Sequence, residues 1–286
     1  ICYVKDWCVV KLLGVIRDNN YLEYLDNGLE GIILPLETFS VDYFKYYSIS
    51  DIRECRKSTD KLLYVVINKM IFNNELDNLL TVLKDLETLK IDGIFFYDLA
   101  VLNLVRENNL SINLIYNGTH MVTNSDTINL YYDLGVKGAY LSNEITKDEV
   151  LNIKSNTKSD LFILLLGNPV VAMSRRSLLT SYFTNKNKSK DDLITIKEPK
   201  SGQEFIVKED SNGTTFFFNK RLNLSNVYEE LVDCGINYGI IEQGDYNSGE
   251  YKELINAFVN FSKLKIDELA GYNRGFLYRE TIYKVK

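Results

Sequence analysis

The sequence predicts an α/β protein whose eight strand–helix units close into a (β/α)8 barrel, and two recurring patterns carry that expectation. The first is a junction that appears four times: DNGLEGIILPLE, TLKIDGIFFYD, DLGVKGAYLS and DCGINYGIIEQ. In each an amphipathic segment ends, a short link containing glycine follows, and an apolar run begins. Gly28, Gly135 and Gly235 stand where a helix is terminated by a left-handed residue. The second pattern is strict alternation of apolar runs with helical periodicity along most of the 286 residues.

Taken in order, the strands are residues 9–16, the run opened by Gly31, 62–68, the run opened by Gly93, 112–117, the run opened by Gly138, 161–167 and the run opened by Gly239. Between and after them lie YLEYLDN, ISDIRECRK, ELDNLLTVLKDLETL, AVLNLVREN, DTINLYYDLG, KDEVLNIKS, NVYEELVDCG and EYKELINAFVNFSK, all with helical spacing of apolar residues. Strands that are apolar on both faces need helices on both faces, hence a parallel sheet. Eight of them favour closure of the TIM type, with a doubly wound open sheet as the alternative. The alternation breaks once. Residues 168–226 form an insertion between the seventh and eighth strands in a single domain covering 1–286: a polar, Lys- and Asn-rich loop, then a β-hairpin turning at Ser211, Asn212 and Gly213.

Composition narrows the functional classes. Apolar residues make up 45% and charged residues 25%, as in ordinary globular proteins, and no apolar run is long enough to span a bilayer. No membrane association or targeting segment is expected, which places the protein in the cytoplasm. A net charge of -6 repels phosphate backbones, so nucleic-acid contact requires a local basic patch. Cysteines at 2, 8, 55 and 234 form no CxxC pair and have no histidine at ligand spacing, so no metal site is expected from them.

Barrels of this type carry function at the C-terminal strand ends. Reading those ends gives Arg17, Asp18, Glu37, Asn68, Asp98, Asn117, Thr119, His120, Ser142, Glu144, Asn168 and Glu242. His120, the sole histidine, is the first candidate for proton transfer near neutral pH. Asp98, Glu144 and Glu242 are the candidate catalytic acids, which would bind a divalent cation if they converged. Asn68, Asn117, Thr119, Asn124 and Asn168 are the candidate ligand-binding residues. Residues 173–190 hold Arg175, Arg176, Lys186, Lys188 and Lys190 with Tyr182 and Phe183 and no acid, a patch suited to phosphates or stacked bases, or else a solvated loop. No P-loop, GxSxG, HExxH or GxGxxG pattern occurs.

The segment NGTHMVTNSDTINLYYDLGVKGAYLSNEITKDEV, followed by SRRSLLTSYF, EDSNGTTFFFN and CGINYGIIEQGDYNSGEYKELINAF, resembles the collagenase-like peptidase family in text, order and spacing. That resemblance implies a barrel, a peptidase label, and similarity to proteins that hydroxylate an RNA base with an iron–sulfur cluster held by four cysteines. The chemistry departs here. Val170 and Ser177 stand at the first two cysteine positions, Asn168 near the family's histidine, and the later cysteine pair falls in a stretch that has none. Thiolates hold such clusters, so no cluster is expected. Glu144 and Glu242 are kept while neighbouring arginines are lost, Asn143 replacing one. Arg176-Ser177-Leu178-Leu179 is similar to a shorter branch resembling the smaller of two paired tRNA uridine hydroxylation proteins. The resemblance thus implies an accessory subunit partnered by a cysteine-bearing paralogue and in contact with tRNA. A peptidase, or a non-catalytic barrel binding a small anion or a partner protein, is the alternative.

Overall fold

A computed structural model describes residues 10–186, 193–271 and 273–278. Cys2, Cys8, Lys188 and Lys190 lie outside the described residues. The first strand begins at Lys11: β1 (Lys11–Val15) is followed by β2 (Gly31–Pro35), β3 (Leu62–Ile67), β4 (Gly93–Phe96), β5 (Leu114–Tyr116), β6 (Gly138–Tyr140) and β7 (Asp160–Gly167). Each pairs in parallel with the next, and β13 (Tyr238–Glu242) pairs in parallel with both β7 and β1. The ring is therefore closed, and the open-sheet alternative is excluded.

Every residue of β2 and β4 is buried, as are seven of eight in β7, because a barrel strand faces side chains inside and helices outside. The interior is aromatic: Tyr64 and Phe95 meet edge to face at 5.6 Å, and Phe162 stacks on Tyr238 at 4.2 Å. The small residues at strand starts make room for this packing. A Cβ on Gly31 would lie 2.5 Å from the Cβ of Leu62.

Around the barrel run α1 (Tyr21–Asp26), α2 (Ile49–Ser58), α3 (Leu76–Thr88), α4 (Leu99–Glu107), α5 (Ser125–Asp133), α6 (Lys147–Ser155), α8 (Tyr228–Asp233) and α9 (Ser248–Val259). Reciprocal capping boxes start three of them, with Ser48 and Asp51 on α2, Thr146 and Glu149 on α6, and Asn247 and Glu250 on α9. The last helical pattern of the sequence breaks after Val259, where Phe261 turns left-handed (φ 51°) and stacks on Tyr228 at 4.9 Å; α10 (Lys263–Ala270) then follows.

The insertion holds more structure than a loop and a hairpin. β8 (Val170–Ser174), β9 (Leu193–Lys197), β10 (Glu204–Asp210) and β11 (Gly213–Phe218) form an antiparallel sheet in the order β8-β11-β10-β9, with α7 (Leu178–Asn185) packed on it. Residues 170–185, expected as polar loop, fold because the buried carboxylate of Glu209 accepts from the backbone amides of Leu179 (2.7 Å) and Thr180 (3.2 Å) at the start of α7. The hairpin is there, but its two-residue turn is Ser211-Asn212. Asp210 pairs with Gly213, and its side chain accepts from the Asn212 amide at 2.8 Å. Gly213 (φ 131°) opens β11 because a Cβ there would fall 2.2 Å from the Ser174 carbonyl oxygen. After the sheet, β12 (Leu222–Asn223) returns antiparallel to β7.

Gly31→Ala forces the β2–β3 contact apart and is expected to destabilise the fold by about 1–3 kcal/mol, read as a lower urea midpoint with unchanged m-value.

Candidate functional site

At the C-terminal ends of the barrel strands lies a cavity of about 610 Å³. On it stands Glu242, the last residue of β13. Its carboxylate oxygen accepts from the Asn168 backbone amide at 3.1 Å. It also lies against Gly167, where a Cβ would be 2.2 Å from the same oxygen, so only glycine admits the glutamate in this pose. The residue is half-buried at the cavity, and desolvation by the surrounding protein pushes the carboxyl pKa up to about 7, the amide of Asn168 opposing the shift. Glu242 therefore populates both its protonated and its ionised form near neutral pH.

Two phenols share this environment. Tyr140, ending β6, and Tyr43, from the loop after β2, are both held well above the ordinary tyrosine range, first by burial and then by the charge of Glu242. Neither ionises at physiological pH, so both offer hydroxyl donors. The amides are mostly committed to the scaffold. Asn68 uses both ends of its side chain on the backbone of Val41 (2.9 and 3.1 Å), and Asn168 donates to the Phe218 carbonyl at 2.8 Å. Asn117 accepts from the Thr119 amide at 3.4 Å. The side-chain oxygen of Asn143, also on the cavity, is buried with no partner among the described residues.

The inserted sheet is fastened to the loop between β2 and α2. Phe44 stacks on Phe217 at 4.8 Å, Thr215 donates to Asp42 at 2.8 Å, Tyr46 donates to Asp210 at 2.9 Å, and Lys208 donates to the Tyr43 carbonyl. Asp42 sits in a left-handed conformation (φ 68°), and burial raises its pKa to about 6. On the rim, Arg17 lies over the Phe44 ring at 6.0 Å and donates to the Gly244 carbonyl at 3.3 Å.

Of the residues singled out from sequence, Asn68, Asn117, Thr119, His120, Glu144, Asn168 and Glu242 all border this cavity. His120 is exposed at the rim, 3.3 Å from the Thr119 hydroxyl. Asp98 and Asn124 do not border it. Asp98 caps α4 through the Ala100 amide (2.9 Å) and also accepts from the Ile71 amide (3.0 Å), while Asn124 caps α5 through the Thr127 amide (2.8 Å). Both are spent on holding loops. The three acids Asp98, Glu144 and Glu242 do not converge: among the described residues no group of three or more His, Cys, Asp or Glu is placed to hold a metal ion. Tyr43, Asp42, Tyr140 and Phe217 are cavity residues that strand-end reading passed over. For Asp42 and Tyr43 the visible signal is the aromatic run DYFKYYS after the second strand.

Arg175, Arg176, Tyr182 and Lys186 lie outside the cavity. Arg175 packs over the Phe72 ring at 4.4 Å, and the amides opening α7 are taken by Glu209, so that helix start is filled from within. Val170 begins β8 on the cavity wall and Ser177 is exposed before α7. Cys55 is buried in α2, its thiol pushed up to about 11 by desolvation, and Cys234 caps α8. These residues do not fit an iron–sulfur cluster, which needs converging thiolates.

A closed ring of eight parallel strands with a cavity at their C-terminal ends defines a TIM-type barrel protein. The chain belongs to Peptidase family U32, whose model matches residues 23–275. It is 27% identical over 251 residues to tRNA hydroxylation protein P2 of Bacillus subtilis, covering 77% of this chain and 81% of that protein. It is 26% identical over 203 residues to tRNA hydroxylation protein P of Helicobacter pylori J99 (67% of this chain, 48% of that protein). An uncharacterized protease of Methanocaldococcus jannaschii is 26% identical over 217 residues (72% and 52%). The chain thus spans about half the length of these last two relatives. A solved structure titled as that of a U32 peptidase superposes with TM-score 0.54 at 13% identity, covering 84% of this chain and 96% of that one, which supports the barrel fold.

Because the carboxyl of Glu242 titrates near 7 when folded and near 4.5 when unfolded, the folded state binds the extra proton between those values and stability falls as pH rises through them. Glu242→Gln removes that loss. The variant is expected to match the wild type near pH 4 and to exceed it above pH 7, by on the order of 3 kcal/mol at most, in denaturation curves recorded across pH. Asp42 titrates alike in both proteins and cancels from the difference.

Proposed function

We propose that this chain is a cluster-less accessory subunit of tRNA uridine 5-hydroxylation, working in the cytoplasm beside a cysteine-bearing paralogue. One observation carries the reading. The barrel and its mouth cavity are intact, with Glu242 seated on Gly167, while Val170 and Ser177 stand where the family resemblance puts the first two cluster ligands. A barrel that keeps its cavity and lacks the thiolates supplies a surface and proton donors, and leaves electron transfer to another chain. The likeness to tRNA hydroxylation protein P2 over most of both chains supports the same assignment. Among the described residues no helix is long and apolar enough to cross a membrane, in keeping with work on a soluble RNA.

Within the cavity the phenols of Tyr43 and Tyr140 keep their protons and the carboxyl of Glu242, its pKa raised to about 7, can donate or accept one, so the three groups suit a neutral polar ligand. Lys186 and the exposed ring of Tyr182 offer the basic and stacking groups that RNA contact needs on an acidic protein. His120 and Glu144 stand at the rim, where they would meet a ligand entering from solvent.

Deletion of the gene is expected to abolish 5-hydroxyuridine and its derivatives in tRNA nucleosides measured by mass spectrometry, with restoration by the wild-type gene and not by Glu242→Ala. Unchanged nucleosides in a strain that keeps the cysteine-bearing paralogue and lacks every cysteine-poor family member would overturn the reading. The purified chain is expected to be colourless, and near-stoichiometric iron and sulfide would refute its cluster-less character.

A further inference from the structure

Sheet edges present unpaired backbone donors and acceptors, and proteins usually blunt them with lysine, proline, or a covering element. β8 is not blunted. Among the described residues it pairs only with β11, its sequence is VVAMS without a charge, and four of its five residues are exposed. Pro169 stands before the strand and Val171 bulges out of register with β11, so only the start of β8 is interrupted and Ala172 to Ser174 keep a regular edge. The opposite edge, β9, carries Lys197.

The apolar surface continues beyond the strand. Met70 and Tyr97 border the same cavity as Val171 and Met173, all four exposed, and Arg175 bridges from the end of β8 onto the exposed ring of Phe72. An exposed apolar shelf built from two barrel loops and a strand edge that no described residue pairs is unusual for a surface with no partner. Its charge is also distinctive. The chain carries a net charge of -6, yet residues 173–186 contain Arg175, Arg176 and Lys186 and no acid.

We infer that the open edge of β8 is a docking site for an extended segment of a partner protein, apolar at alternate positions and ending in acidic residues opposite Arg175 and Arg176. The unpaired ladder selects a strand, because only another backbone supplies alternating donors and acceptors at that spacing. The shelf takes the apolar side chains, and the two arginines set direction by pairing with carboxylates. An RNA strand would match the arginines and leave the ladder and the Val–Met surface unanswered. The identity of the partner rests on the accessory reading above: the segment belongs to the cysteine-bearing paralogue, which this edge would bring against the cavity mouth.

Hydrogen–deuterium exchange of the full chain, alone, with the purified cysteine-bearing paralogue of the same organism, and with tRNA, tests this directly. Binding to the paralogue is measured in parallel for the wild type, Val171→Lys and the double variant Arg175→Glu/Arg176→Glu. The paralogue is expected to slow exchange in residues 170–174. Each variant is expected to weaken binding by about tenfold or more while melting like the wild type. A complex that leaves β8 exchange unchanged and tolerates both variants would overturn the docking site and leave the accessory role standing. Absence of a complex would overturn the docking site too, and the nucleoside measurement then decides the accessory role separately. Protection of β8 by tRNA and not by the paralogue would reassign the surface to RNA.

Discussion

The strand LFILLLG has to be buried on both faces, and most of the architecture follows from satisfying that demand. β7 achieves it by pairing with β6 on one side and β13 on the other, which closes the barrel. The same placement brings Gly167 and Asn168 to the C-terminal end of the barrel beside Glu242, so the strand that completes the fold also seats the cavity's most perturbed acid. Immediately afterwards the chain leaves the barrel to build the inserted sheet, and β12 returns to pair with β7. Closure, the cavity acid and the sheet beside the mouth thus share one segment.

The site gains its character from enclosure. A carboxyl with one backbone donor in a desolvated setting has its pKa raised, and two phenols beside it keep their protons for the same reason. The loop between β2 and α2 is the other half of this arrangement. Asn68 pins Val41 by both ends of its amide, the backbone turns left-handed at Asp42, and the following aromatic residues reach Phe217 and Asp210 on the inserted sheet. Chemistry and covering element are held by one loop.

The barrel was legible from sequence because its signals are local and repeated: glycine junctions, β-branched runs and helical periodicity recur with each unit. The mouth was legible in part, since a residue ending a barrel strand must point toward it, as Glu242 and Asn168 do. What sequence could not separate was an amide or acid facing the cavity from one capping the next helix. Asp98 and Asn124 occupy positions suited to either role, and the geometry assigns them to α4 and α5. The inserted sheet was only half visible. Its hairpin announces itself, whereas β8 and α7 depend on Thr214, Glu209 and the turn at Gly213, contacts between residues dozens of positions apart.

The fastening of the inserted sheet onto the loop after β2 joins residues far apart in synthesis. Thr215 and Asp42 are separated by 173 positions, and Lys208 and Tyr43 by 165. During translation the run DYFKYYS is complete long before its covering strands emerge. Phe44, Tyr43 and Tyr46 therefore spend that interval without the surface that later shields them. For this chain the hazardous stage of biogenesis is the one in which seven barrel strands are present and the closing eighth, together with the sheet that covers those aromatic rings, has yet to leave the ribosome.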